Sequence, residues 1–140
     1  MKKFHVFGVA ILAIALLCAA CGQAAPAAGA ITRLKVEMSE FTFMPASYSV
    51  PAGKQITLEL KNSGSITHDF LILKKGVTLQ GKFDRDTQAQ DVYFDASLDS
   101  QKTQTFTFTA PTEPGDYQVI CGVPGHFQSG MTATLTVVGQ

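Results

Sequence analysis

From Ile31 onward the apolar residues return at every second position, and no window of helical length carries a stripe at the helical period of about 3.6 residues. Leu34, Val36 and Met38 alternate with polar neighbours, and Ile56, Leu58 and Leu60 do so against Gln55, Thr57, Glu59 and Lys61. Phe106 and Phe108 alternate with threonines, as do Ala133, Leu135 and Val137. Each segment therefore has one face for a core and one for water, the pattern of a strand half-buried in a sheet. Phe70 to Leu73 is apolar throughout, so this strand is expected to be covered on both faces. Turn signals punctuate the series at Pro51-Ala52-Gly53, Asn62-Ser63-Gly64, Pro114-Gly115 and Pro124-Gly125. Short strands so spaced predict an all-β chain folded as a Greek-key sandwich of two antiparallel sheets. Tyr117, just after Pro114-Gly115, suits a strand entry where its ring packs and its hydroxyl bonds to backbone.

The stretch from Lys74 to Ser100 breaks the pattern. It holds Asp84, Asp86, Asp91, Asp95 and Asp99 with few apolar residues and reads as a solvated surface flap. A calcium loop is not expected there, because Ala89 stands where the sharp turn of such a loop needs glycine.

The N-terminus has its own logic. Lys2 and Lys3 precede an apolar run from Val6 to Leu17 and then small residues, the layout of a bacterial secretory signal over residues 1–20. The run is short for a permanent membrane span, which takes about 20 apolar residues. The signal ends in Leu17-Cys18-Ala19-Ala20-Cys21-Gly22, which resembles a bacterial lipobox with Cys21 as the lipid-bearing residue. Residues 21–30, uncharged and rich in Ala, Pro and Gly, read as a tether, leaving 31–140 as one domain. The chain is thus expected to be exported and held by lipid at a periplasmic or cell-surface membrane face. Without Lys2 and Lys3 it carries nine basic against eleven acidic residues, which excludes a basic nucleic-acid footprint.

Cys121 is the one cysteine of the 31–140 domain, so no disulfide can form within it although the compartment oxidises thiols. Such a thiol is a liability unless something occupies it. His126 follows five residues later and Met131 ten later, and His68 is the one other histidine of the domain. Thiolate, imidazole and thioether form a soft donor set, which selects copper over magnesium or calcium. If the loops holding His68 and Cys121 meet at one pole of the sandwich, two imidazoles and a sulfur converge with Met131 as a weaker axial donor, the blue-copper arrangement. Gly122, Gly125 and Gly130 would let the tight loop place three donors on one side.

These residues carry a family resemblance. Phe43 with Pro45, Val50-Pro51-Ala52-Gly53-Lys54, Asn62 with Gly64, His68-Asp69-Phe70, Pro114-Gly115-Asp116-Tyr117 and Cys121-Gly122-Val123-Pro124-Gly125-His126 followed by Gly130-Met131 resemble a cupredoxin of the plastocyanin and azurin kind. The four residues between His126 and Met131 are similar to the spacing in auracyanins, membrane-tethered blue-copper proteins. The resemblance implies one type 1 copper ion with His68, Cys121 and His126 as equatorial ligands, Met131 as axial ligand, and the Thr67 carbonyl opposite. Asp69 departs from the Asn common after the first histidine, and its charge is expected to favour Cu(II) and lower the potential.

The function so implied is one-electron transfer between Cu(I) and Cu(II), without enzymatic activity, since four protein donors leave no vacant coordination position for substrate. Redox proteins are the expected partners of a monomer, docking on an apolar patch of His126, Val123, Pro124 and Phe127 with Met44 beside it. A periplasmic copper-trafficking or storage protein would use the same donors and is the rival reading.

Overall fold

A computed structural model of the chain describes residues 29–139. The expected signal peptide, Cys21 and the tether as far as residue 28 lie outside the described residues. Among the described residues no helix is long and apolar enough to cross a membrane.

Among the described residues nine strands make two stacked sheets. One has the order β2-β1-β4-β7, from Thr42–Met44, Arg33–Ser39, Gln55–Asn62 and Thr103–Thr109. The other has the order β3-β9-β8-β5-β6, from Ser47–Pro51, Thr132–Val138, Gly115–Ile120, His68–Leu73 and Val92–Leu98. The inward sets are the alternating apolar residues of the sequence: Leu34, Val36, Met38, Ile56, Leu58, Leu60, Leu135 and Val137 all lie in one core with Phe70. A slip of one residue would turn a whole set to water, so the core fixes the register.

The sheets are mixed where antiparallel ones were expected. β1 runs parallel to β4, with Leu34 opposite Leu58, and β3 runs parallel to β9, with Val50 opposite Val137. Alternation decides which face a residue takes and is silent on the direction of the neighbouring strand, which depends on the long connections.

β5 is buried at all of its positions. Phe70 and Ile72 face the core between the sheets. Leu71 and Leu73 face the other way, into a second cluster with Phe83, Ile120 and Phe127, packed further by Val77, Leu79 and Val92. That cluster is the underside of the flap, which is shorter and less solvated than its aspartates suggest. It spans residues 74–91, closed by the Lys74 N–H donating to the Asp91 carbonyl at 2.8 Å, and Val92–Leu98 returns as the edge strand β6. Within the flap a single helical turn, α1 (Arg85–Gln88), is capped by Asp84, whose carboxylate accepts from the Asp86 N–H at 3.0 Å. Gln88 answers by accepting from the Asp84 N–H at 2.8 Å. At the far end of the sandwich the Tyr117 hydroxyl donates to the Glu113 carbonyl at 2.7 Å, tying down the strand entry as its position implied.

Candidate metal centre

Two loops meet at one pole of the sandwich because β5 and β8 are antiparallel neighbours, pairing Leu71 with Ile120. His68 opens β5, Cys121 directly follows β8, and Met131 directly precedes β9. The Cys121 N–H donates to the Met131 carbonyl at 3.2 Å, and the Met131 N–H donates to the His126 carbonyl at 3.0 Å. These bonds lace the loop across its own neck. Gly125 and Gly130 have φ of +88° and +96°, so the loop turns at residues without a Cβ to strain. Gly122 serves differently. A Cβ there would lie 2.7 Å from the Leu71 Cδ1 and 2.8 Å from the Asp69 Oδ2, so close packing, not a left-handed backbone, demands glycine.

The convergence is tight. The Nδ1 atoms of His68 and His126 are 3.1 Å apart, and the Cys121 Sγ is 3.5 Å from the Nδ1 of His126 and 3.9 Å from that of His68. All three side chains are buried, and so is Met131. A metal ion with nitrogen and sulfur bonds of about 2.0 to 2.3 Å would hold such donors about 3.5 to 4 Å apart; both sulfur–nitrogen distances match that spacing, and the nitrogens, at 3.1 Å, would need to part by only a few tenths of an ångström. The triangle therefore fits a metal, and its one thiolate and two imidazoles fit copper. Among the described residues this is the one group of His, Cys, Asp and Glu side chains close enough to share an ion.

At two of the donors burial favours the neutral form. Burial holds His68 below the usual histidine range, and the neighbouring His126 adds to the shift. Burial also pushes the Cys121 thiol up, while the N–H groups of Asp69 and Val123 oppose the shift by favouring the thiolate. The Asp69 N–H lies 3.4 Å from the sulfur. Binding a cation must expel the thiol proton, so loading of the site is coupled to proton release.

Several supports were not evident in the sequence. Asn62, fully buried, donates to the carbonyls of Ile66 and Leu98, each at 2.8 Å, and accepts from the Gly64 N–H at 2.9 Å. Its amide thus shapes the turn that delivers His68. The Asn62-Ser63-Gly64 signal marked that turn without revealing its cross-strand bond to Leu98. Glu40, on the β1–β2 turn, accepts from the N–H and hydroxyl of Ser65 at 2.5 and 2.7 Å, bonds that draw its carboxyl down to about 2. Thr67 donates its hydroxyl to Asp99 at 3.0 Å.

The patch around His126 also differs from expectation. Phe41, 46% exposed at the tip of the β1–β2 turn, meets the His126 ring edge-on with centroids 5.3 Å apart. Pro124 is exposed and Val123 half-buried. Phe127 is turned inward into the cluster beneath the flap, where Leu71 and Ile120 give its ring more apolar contact than the surface can. Met44 is exposed beside Lys35, Glu37, Glu59 and Lys61. Asp69 is not the lone charge its sequence position suggested: its carboxylate pairs with Arg85 at 2.8 Å.

The family model for the cupredoxin-like domain matches residues 8–137. The copper-resistant cuproprotein CopI of Pseudomonas aeruginosa is 24% identical over an alignment covering 84% of this chain and 82% of that one. Auracyanin-B of Chloroflexus aurantiacus is 28% identical over 68% of this chain, and sulfocyanin of Sulfolobus acidocaldarius is 27% identical over 61%. The alignments span about half the length of those two relatives, 46% and 47%. Among solved structures, dithionite-reduced auracyanin from the photosynthetic bacterium Roseiflexus castenholzii superposes with a TM-score of 0.64 at 26% identity, covering 79% of this chain and 99% of that one.

Proposed function

Since the chain belongs to the cupredoxin-like family and its cofactor is copper, we propose that it carries single electrons through one ion held by His68, Cys121, His126 and Met131. Electron transfer in general is what the family and its blue-copper relatives support. The observation that carries the fuller reading is the buried meeting of two Nδ1 atoms and one Sγ, all within 4.8 Å of one another, on loops separated by more than fifty residues of sequence. When bound, copper supplies a one-electron couple, Cu(II)/Cu(I). The residues supply what makes that couple fast.

His68 and Cys121 are fixed by neighbouring strands, and His126 and Met131 by a loop laced through its own backbone, so the donors barely rearrange when the ion's charge changes. Burial keeps water from the donors, and the four side chains leave no place for a substrate, so the protein is a carrier and not an enzyme. Electrons enter and leave at the pole where Phe41, His126 and Pro124 form a small apolar face suited to brief encounters with redox proteins. The protein works as a monomer on the outer side of a membrane, tethered through Cys21.

Cyclic voltammetry tests the carrier: one reversible wave, with copper retained through repeated cycles, is expected. Likeness to CopI favours a second reading, copper handling in metal resistance. That role calls for release of the ion, so loss of copper on reduction would favour it over the carrier.

A further inference from the structure

The flap carries a cation to the metal centre. Arg85, the first residue of α1, reaches back over the five-stranded sheet and places its Nη2 2.8 Å from the Oδ2 of Asp69, while its Nη1 donates to Asp95 on the edge strand β6. Asp69 is 7% exposed and lies between the proposed ligand His68 and the apolar run of β5. Its N–H points at the Cys121 sulfur. The ion pair is wedged against Gly122, the residue after Cys121: a Cβ built there would stand 2.8 Å from the Asp69 carboxylate and 3.1 Å from the Arg85 Nη2. The sequence alone leaves Asp69 uncompensated, and the structure compensates it.

We infer that Arg85 is a positioning residue of the copper site, acting through Asp69: it neutralises a buried carboxylate beside the ligand sulfur and holds the Asp69 N–H on that sulfur. This inference rests on the electron-carrier reading given above. A carboxylate close to the ion favours Cu(II), the more positive state, and a guanidinium paired to it cancels most of that preference. Arg suits the task because its planar fork serves Asp69 and Asp95 at once and stays charged at any working pH. Asp95 strengthens that hold on the proton, since its hydrogen bond is the largest cause pushing the Arg85 guanidinium up, with Asp69 adding to it. The pair borders an open cleft of about 470 Å³ lined by Asp69, Phe83, Arg85, Gly122, Pro124 and Gln128, so water reaches the guanidinium and moderates its effect. A mere strap holding the flap down would have no such influence on the couple.

The test compares Arg85→Gln, Arg85→Lys, Asp69→Asn and the Asp69→Asn, Arg85→Gln double variant of the copper-loaded chain. Arg85→Gln is expected to shift the Cu(II)/Cu(I) balance roughly threefold to tenfold toward Cu(II), a fall in midpoint potential of about 28 to 59 mV at 59 mV per decade. Arg85→Lys should recover more than half of that shift, and Asp69→Asn should raise the potential. In the Asp69→Asn background, Arg85→Gln should move the potential less than half as far as it does alone. A potential unchanged in Arg85→Gln, or a shift just as large in the Asp69→Asn background, overturns the inference. The metal-free protein gives a second reading: hydrogen exchange at the Asp69 amide should quicken in Arg85→Gln and slow again in Arg85→Lys. If Arg85→Gln does not fold, Arg85→Met takes its place, a fall in potential of the same size supporting the role and an unchanged potential overturning it. Failure of the chain to take up copper contradicts the carrier and leaves the pair to be judged by exchange alone, where unchanged rates at Asp69 overturn it.

Discussion

His68 and His126, 58 residues apart in sequence, turn their Nδ1 atoms to within 3.1 Å of each other. Two imidazole nitrogens can share one proton at that distance and no more, and the thiol beside them is held neutral by burial. The fold around them keeps these three donors together.

The turn before His68 is the most exacting part of that fold. A Cβ at Gly64 would stand 2.7 Å from the His68 Nε2, 3.0 Å from the Glu40 carboxylate and 3.2 Å from the Asn62 Oδ1. Gly64→Ala should therefore push the His68 ring off its position, lowering stability by about 1 to 3 kcal/mol and weakening copper binding. Chemical denaturation of the metal-free chain and a competition titration with a chelator check the two effects; wild-type values in both would contradict this account of the turn.

Asn62→Leu tests the same turn from beneath. It removes three hydrogen bonds and leaves the buried carbonyl of Leu98 without its donor. Leaving such a group unpaired costs about 1 to 3 kcal/mol, so the urea midpoint should fall clearly, and more than for Asn62→Asp, which keeps the acceptor for the Gly64 N–H. Equal midpoints in the two variants would count against the acceptor role, and wild-type midpoints in both against the donor role.

Much of the fold was legible because alternation fixes the face of every residue in β1, β4 and β9. Strand direction was not, since the same alternation serves a parallel or an antiparallel neighbour. At the site, the short spacing from Cys121 to Met131 and the scarcity of histidine singled out the residues proposed as ligands, and the structure brings His68, Cys121 and His126 together. Phe41 and Arg85 were hidden for a common reason. Each reaches the site from a segment with no period of its own, Phe41 from a hairpin tip at φ 64° and Arg85 from the flap. The acidic look of the flap also masked Phe83, Val77 and Leu79, too widely spaced to form a pattern; Phe83 is buried with Leu71 and Leu73, and the other two pack half-buried against that cluster.

The metal-free protein should have a stability maximum in the neutral to mildly alkaline range. His68 has a lowered value in the fold, so its contribution is intact above the ordinary value of 6.5 and is lost as pH falls through the lowered one. Cys121 has a raised value, so its contribution is intact below the ordinary 9.0 and is lost as pH rises beyond it. Thermal melts across pH check both limbs. His68→Gln should flatten the acid limb and Cys121→Ser the alkaline one, and limbs that keep their slopes in these variants would contradict the assignment.

Phe41 should matter to exchange of electrons and not to the colour of the site. Phe41→Glu sets like charges face to face when two molecules meet at this pole, and electron self-exchange should slow by about tenfold, close to 1.4 kcal/mol. The loss should lessen in high salt, and the visible spectrum should stay as it was. Self-exchange at the wild-type rate in low salt would place the docking face elsewhere.

The measurement that bears most directly on the whole account is the visible spectrum on addition of Cu(II) to the metal-free chain, beside the same titration of Cys121→Ser. An intense sulfur-to-copper charge-transfer band that saturates at one copper per chain and vanishes in the variant is the expected result. A chain that stays colourless, or a band that survives the loss of the Cys121 sulfur, would contradict it.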